Sequence, residues 1–170
     1  MKTFWSRFFP NLWVEGLADI SLDSLKEKGI SGLILDLDNT LVDWDSRQIS
    51  PSVVNWVRES KGKGFQVFIV SNGLAERVEY FSQILKVPGI SLAKKPRRVA
   101  LRKALATMEL TREEVALVGD QVFTDVWGGN RLGVYTILVR PTTSKEFIWT
   151  RMVRQLEGFI LKKFRKSNYD

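Results

Sequence analysis

Leu33-Ile34-Leu35-Asp36-Leu37-Asp38-Asn39-Thr40 is an apolar run that ends in two carboxylates spaced two residues apart. A continuous apolar run is what a strand needs when helices cover both faces of a parallel sheet. Side chains on an extended segment alternate with period two, so Asp36 and Asp38 are expected to point at the same spot. Two carboxylates held side by side repel unless a cation or a substrate uses them. The stretch therefore predicts the carboxyl end of a buried strand and a candidate Mg²⁺-dependent phosphoryl-transfer site.

Composition narrows the chemistry. The chain has 170 residues, of which 44% are hydrophobic and 26% charged, a balance expected of one globular domain spanning 1–170. It contains no Cys and no His. That excludes a disulfide framework, a thiolate nucleophile, a zinc site built from Cys and His, and a Ser-His-Asp triad. Catalysis must run on carboxylates, Lys, Arg, hydroxyls and a bound metal. The 26 basic and 19 acidic residues leave a net charge of +7, which suits an anionic partner, phospholipid surface and nucleic acid alike. No apolar run is long enough to cross a bilayer, and the aromatic, basic start does not read as a secretory signal.

Outward from the opening stretch, helical and strand patterns alternate, as expected of an α/β fold with a parallel sheet. Helices are predicted over Leu22–Lys28, from Ser50-Pro51 to Gly62 or Gly64, Leu74–Leu85, Pro96–Met108, Thr124–Leu132 and Ser144–Lys166. Strands are predicted over Gly32–Leu37, Phe65–Val70, Ile90–Ala93, Val115–Val118 and Tyr135–Val139. Thr111 to Glu114 has the spacing of a capping box.

Polar clusters follow the carboxyl ends of these strands: Asp36 to Thr40, Ser71-Asn72, Lys94-Lys95-Pro96, and Gly119-Asp120 with Asp125. In open α/β sheets ligands bind at that edge, near the topological switch point. Each cluster has a plainer alternative taken alone. Asp often ends a strand or caps a helix, Lys94 and Lys95 also fit an exposed basic loop, and Asp125 also fits an N-cap.

Together, and in this order, the clusters resemble the four signature motifs of the haloacid dehalogenase (HAD) superfamily of phosphatases. The runs Asp36-to-Asp45 and Gly119-to-Gly133 are similar, more narrowly, to the YqeG-like members of subclass IIIA, a group related to phosphatidylglycerophosphate phosphatases. The resemblance implies a Rossmann-like, HAD-type parallel sheet flanked by helices. It implies Asp36 as the nucleophile that forms an aspartyl-phosphate and Asp38 as general acid/base. Ser71, Asn72, Lys94 and Lys95 are implied as phosphate contacts, with Lys95 neutralising charge on the transferring group. Mg²⁺ would be held by Asp36, the Asp38 backbone carbonyl and Asp120, with Thr40 and Asp125 supporting them. The intervals between Asp36, Ser71 and Lys95 are too short for a cap domain, so an open site is expected.

The termini bear on the substrate. Ile148, Met152, Leu156, Phe159, Ile160 and Phe164 recur at helical spacing in a basic segment, about 144–166, and Phe4, Trp5, Phe8, Phe9, Leu12 and Trp13 cluster at the front. The first half of the terminal helix reads as packing on the sheet. The basic tail and the first dozen residues read as lying in a membrane interface. The leading expectation is a Mg²⁺-dependent phosphatase acting on a lipid headgroup, phosphatidylglycerophosphate, as a cytoplasmic enzyme peripheral to the inner face of a bacterial or plastid-type membrane. The alternatives are a HAD phosphatase for a soluble sugar phosphate, nucleotide or macromolecular phosphate, and a basic RNA-binding module on the same fold. The intact set of charged residues and the lack of an RNA-recognition aromatic motif weigh against nucleic acid.

Overall fold

The computed structural model describes residues 4–142 and Gly158. Its centre is a six-stranded, wholly parallel sheet. The strands are β1 (Leu12–Val14), β2 (Gly32–Leu35), β3 (Gln66–Val70), β4 (Gly89–Ile90), β5 (Val115–Gly119) and β6 (Tyr135–Val139), ordered β1-β6-β5-β2-β3-β4. From β2 the chain winds outward through β3 to β4, then returns to lay β5 on the other side. The switch point therefore falls between β2 and β5, which pair in register from Gly32↔Val115 to Leu35↔Val118.

Helices α1 (Leu22–Glu27), α2 (Pro51–Gly62), α3 (Ala75–Leu85), α4 (Val99–Met108) and α5 (Trp127–Leu132) cover the two faces. Alternation along the strands decides which side chain meets which helix. Leu33, Leu35, Val67 and Ile69 share a core with Leu25, Val57 and Phe81 from α1, α2 and α3. Ile34, Phe68, Val70 and Leu117 pack with Leu101, Ala104 and Leu132 from α4 and α5. The apolar run over Leu33–Leu35 is fully buried because it feeds both cores. Local signals fix the start of α2, where Ser50 Oγ accepts from Val53 N at 3.3 Å and Pro51 occupies the first turn.

Three departures from the sequence expectations have physical causes. Strand β4 is Gly89–Ile90 rather than Ile90–Ala93, because Leu92 N and Ala93 N turn back to bond the carbonyls of Gly73 and Ser71. Helix α4 starts at Val99 rather than Pro96, after a turn closed by Arg97 N on the Lys94 carbonyl. The segment after β5 opens with a wide π turn, Val122–Val126, before α5.

The front of the chain corrects a fourth expectation. Leu12–Val14 forms edge strand β1 against β6, and Asn11 exchanges bonds with Thr136, including Thr136 N to Asn11 Oδ1 at 2.8 Å. Phe8 is buried with Val122, Val126 and Leu138, with its ring 5.5 Å from those of Phe123 and Trp127. Phe8 therefore fills a core, with Phe9 and Trp13 partly buried against it, while Trp5 stays 38% exposed. Three residues are too few to show a strand period, which is why β1 escapes the sequence pattern. The terminal helix expected over 144–166 lies outside the described residues, apart from Gly158. Among the described residues no helix is long and apolar enough to cross a membrane.

Candidate active site

The carboxyl ends of β2, β3 and β5 bring together charges that elsewhere would be costly to bury. Asp36 continues the β2 ladder by donating its N–H to the Val118 carbonyl at 2.9 Å. Its carboxylate is buried and meets Lys95 Nζ at 2.5 Å. The same ammonium lies 2.6 Å from Asp125 Oδ1, so Lys95 bridges two carboxylates from opposite sides of the switch point. Asp120, at the end of β5, is also buried and accepts from Thr40 Oγ1 at 3.3 Å.

Asp36, Asp120 and Asp125 each present a carboxylate oxygen within 4.8 Å of the others. With Asp38 nearby and paired to Arg77, four carboxyl groups gather here, and Lys95 pairs with two of them, Asp36 and Asp125. An all-oxygen donor set of this kind suits a hard divalent cation. Electrostatics point the same way. Burial pushes the Asp36 carboxyl up to about 7, Lys95 opposes the rise, and Asp125 and Asp38 add to it. Burial also works against the charge on Lys95, but Asp125 and Asp36 outweigh it and hold its pKa above the ordinary value. A cationic Lys95 alone thus leaves Asp36 hard to ionise, and a bound cation would relieve it.

Asp36 and Asp38 take different partners, although each bears on the other electrostatically. Strand β2 stops at Leu35 and the chain turns, with Asn39 in the left-handed region (φ 62°) and the Leu37 carbonyl accepting from Leu41 N at 2.9 Å. Asp38 contributes no oxygen to the three-carboxylate group. Its Oδ1 instead accepts from Arg77 Nε at 2.6 Å. Arg77, in the first turn of α3, also donates to the carbonyls of Ser46 and Asp43 at 2.6 and 2.7 Å. Asp38 Oδ2 lies against Gly73, where a Cβ would approach it to 2.8 Å. The two carboxylates are thus held by different cations, Asp36 by Lys95 and Asp38 by Arg77.

The remaining expected residues divide. Ser71 is buried, and its Oγ accepts from Gly73 N at 3.0 Å, leaving its own proton available. Asn72 uses both ends of its amide on Lys95, accepting from its N–H at 2.7 Å and donating to its carbonyl at 3.3 Å. It holds the backbone that carries the bridging ammonium. Lys94 is exposed while Lys95 is buried, so only Lys95 joins the cluster. Asp125 is not the N-cap of the segment after β5, a position held by Gln121, but reaches back to it from inside the π turn. Its Oδ2 accepts from Gln121 N at 3.2 Å, as a cap does, while its Oδ1 takes the ion pair with Lys95. The π turn folds its carboxylate onto Gly119, where any Cβ would collide with it.

Arg77 escaped the sequence pattern. A trace of it was present, since a cation in the first turn opposes the helix macrodipole and such local conflicts gather at working sites.

Comparisons with known proteins agree with this geometry. The HAD-hydrolase-like family model matches residues 92–146, which hold Lys95, Asp120 and Asp125. A probable phosphatase, YqeG, of Bacillus subtilis (strain 168) is 42% identical over 95% of this chain and 94% of its own length. The chain belongs to the HAD superfamily of phosphatases, in its YqeG-like group. A second relative, phosphatidylglycerophosphate phosphatase 1 of Arabidopsis thaliana, is 33% identical over 93% of this chain, which spans 48% of that longer protein. The fold is shared with the cobalt-bound deoxy-D-mannose-octulosonate 8-phosphate phosphatase of Haemophilus influenzae, at a TM-score of 0.56 and 14% identity over 81% of this chain and 90% of that one. As a HAD phosphatase this chain lacks an inserted cap among the described residues. Only α2 lies between Asp36 and the end of β3, and only α3 and β4 between Ser71 and Lys95.

Proposed function

We propose that this HAD phosphatase is a Mg²⁺-dependent phosphomonoesterase for a phospholipid headgroup, with phosphatidylglycerophosphate as substrate. The buried bridge Asp36–Lys95–Asp125 at an uncapped sheet edge carries the proposal. An Asp36 oxygen bonds to phosphorus as the ester O–P bond breaks, and Asp38 gives its proton to the leaving oxygen. Asp38 then takes a proton from water as the water oxygen bonds to phosphorus, releasing phosphate and freeing Asp36. Arg77 occupies Asp38 Oδ1, so Oδ2, beside Gly73, is the oxygen that handles the proton.

Lys95 and the Ser71 hydroxyl stabilise the phosphoryl oxygens, and Asn72 fixes the Lys95 backbone. Asp36, Asp120 and Asp125 are the carboxylates that would hold the cation, with the Asp38 carbonyl as a further ligand. When bound, Mg²⁺ supplies the positive charge that keeps Asp36 ionised and offsets charge on the transferring group. The lipid assignment draws on the plant relative and on the uncapped edge, which admits a headgroup fixed at a surface.

The test is phosphate release from phosphatidylglycerophosphate in mixed micelles with Mg²⁺, beside soluble sugar phosphates and nucleotides. Release from the lipid that exceeds the soluble esters and vanishes in Asp36→Asn is expected. Faster turnover of a soluble ester would replace the substrate, and undiminished Asp36→Asn activity would remove the nucleophile.

A further inference from the structure

Three segments at the active-site edge carry apolar side chains where local chemistry favours polar ones. Leu74 is the N-cap of α3, a position that prefers Asn, Asp or Ser, and it makes no side-chain cap. Leu92 has φ 49°, a left-handed conformation that favours Asn or Gly. Val99 opens α4, whose first turn favours acidic and polar residues. These side chains are nevertheless 71%, 56% and 74% exposed, the most of any large hydrophobic among the described residues.

All three follow carboxyl ends of parallel strands, β3 and β4, and so lie on the same edge as the carboxylate cluster. The bond from Leu92 N to the Gly73 carbonyl at 3.0 Å puts Leu92 beside Leu74. Trp44, 37% exposed, lies in the loop that Arg77 fastens to α3. Between Leu92 and Val99 runs the cationic loop Lys94-Lys95-Pro96-Arg97-Arg98. Lys95 is turned inward to Asp36 and Asp125, while Lys94 and Arg97 are exposed and make no ion pair with described residues. The exposed acids of this edge, Asp45 and Glu76, are fewer than its exposed cations, and Glu76 already pairs with Arg47.

We infer that this edge is a membrane-docking face, in which Leu74, Leu92 and Val99 enter the interface of an anionic phospholipid bilayer while Lys94 and Arg97 meet its headgroups. Apolar side chains at the boundary with cations among them are the pattern that holds a protein on such a surface. Docking in this pose turns the open phosphatase site toward the headgroups, so the inference builds on the proposed lipid substrate. It also moves membrane contact from the front of the chain, where Phe8 is buried and Phe9 and Trp13 pack against it, to the loops that carry Ser71 and Lys95.

The test uses the full chain floated with phosphatidylcholine vesicles, with and without phosphatidylglycerol, and p-nitrophenyl phosphate hydrolysis in parallel. Leu74→Asn, Leu92→Asn and Val99→Ser combined are neutral and suit their local backbones, so the fold should hold. The triple variant is expected to lose vesicle binding by about tenfold or more while soluble turnover stays within about threefold. Arg97→Glu alone is expected to lose about fivefold or more, on anionic vesicles only, and serves if the triple variant is poorly folded. Binding by these variants equal to the parent, or no binding by the parent, overturns the docking face. Micellar phosphatidylglycerophosphate separates the two proposals. Hydrolysis there with undiminished flotation of the variants sinks docking alone, whereas no hydrolysis with flotation lost in the variants sinks the substrate alone.

Discussion

Arg77 Nε donates to Asp38 Oδ1 at 2.6 Å while its two terminal nitrogens hold the carbonyls of Ser46 and Asp43. One guanidinium therefore sets the rotamer of Asp38 and the position of the loop that follows it, and its central carbon lies 5.1 Å from the centroid of the Phe81 ring. Misplacing a proton-transfer group by about 1 Å costs on the order of 100-fold in rate. Arg77→Ala is expected to lower kcat on p-nitrophenyl phosphate by about that factor with a much smaller change in KM. Arg77→Lys, which restores charge but not the three-way fork, should recover only part of the loss. Equal kcat in parent and alanine variant would remove Arg77 from the positioning of Asp38.

The raised Asp36 carboxyl predicts a pH dependence of stability without added cation. Folded Asp36 keeps its proton up to about 7, whereas the unfolded chain releases it near the ordinary carboxyl value of 3.8. Between those values the native state binds more protons, so stability falls as pH rises. Lys95, shifted upward from 10.5, adds no slope in that window. In chelator, urea midpoints of the parent are expected to drop between about pH 5 and about pH 8, and Asp36→Asn should lack that part of the drop. At the upper pH the variant should be the more stable by a few kcal/mol, and Mg²⁺ should narrow the difference. A parent as stable at the upper pH as at the lower would contradict the burial argument.

Much of the architecture could be read from residues whose local and global preferences agree. Leu33–Leu35 is apolar because both faces of β2 are covered, and Ser50-Pro51 starts α2 because cap and ring act within one turn. What escaped depends on contacts between segments far apart in sequence. Strand β1 has three residues and exists through its register on β6. The different partners of Asp36 and Asp38 depend on the turn at Asn39 and on Arg77, neither of which a period-two pattern contains. The side-chain amide of Asn72 is bonded to the Lys95 backbone, a pairing visible only once the two loops are side by side.

Gly73 is bounded by the site rather than by its backbone. A Cβ there would lie 2.8 Å from Asp38 Oδ2 and 3.2 Å from Ser71 Oγ. Gly73→Ala is expected to displace the Asp38 carboxylate and cut kcat by about 10-fold or more while thermal stability changes little. An unchanged kcat would show that Oδ2 has room to move, and would weaken its assignment as the proton carrier.

Asp125 offers the sharpest separation between a cap and a working carboxylate. As a cap alone, its bond to Gln121 N would make Asp125→Asn nearly silent, because an amide oxygen accepts the same hydrogen bond. As a partner of Lys95, its loss leaves the buried ammonium with Asp36 as its remaining ion-pair partner, drawing Lys95 toward the nucleophile and removing one carboxylate from the cation group. Asp125→Asn is therefore expected to weaken Mg²⁺ binding by about 10-fold or more, measured by calorimetry, and to lower kcat even at saturating Mg²⁺. Its melting temperature should change less than that of Asp125→Ala, which also loses the bond to Gln121. Parent-like Mg²⁺ affinity and kcat in Asp125→Asn would reduce this residue to a helix cap and leave Asp36 and Asp120 as the side chains that hold the cation.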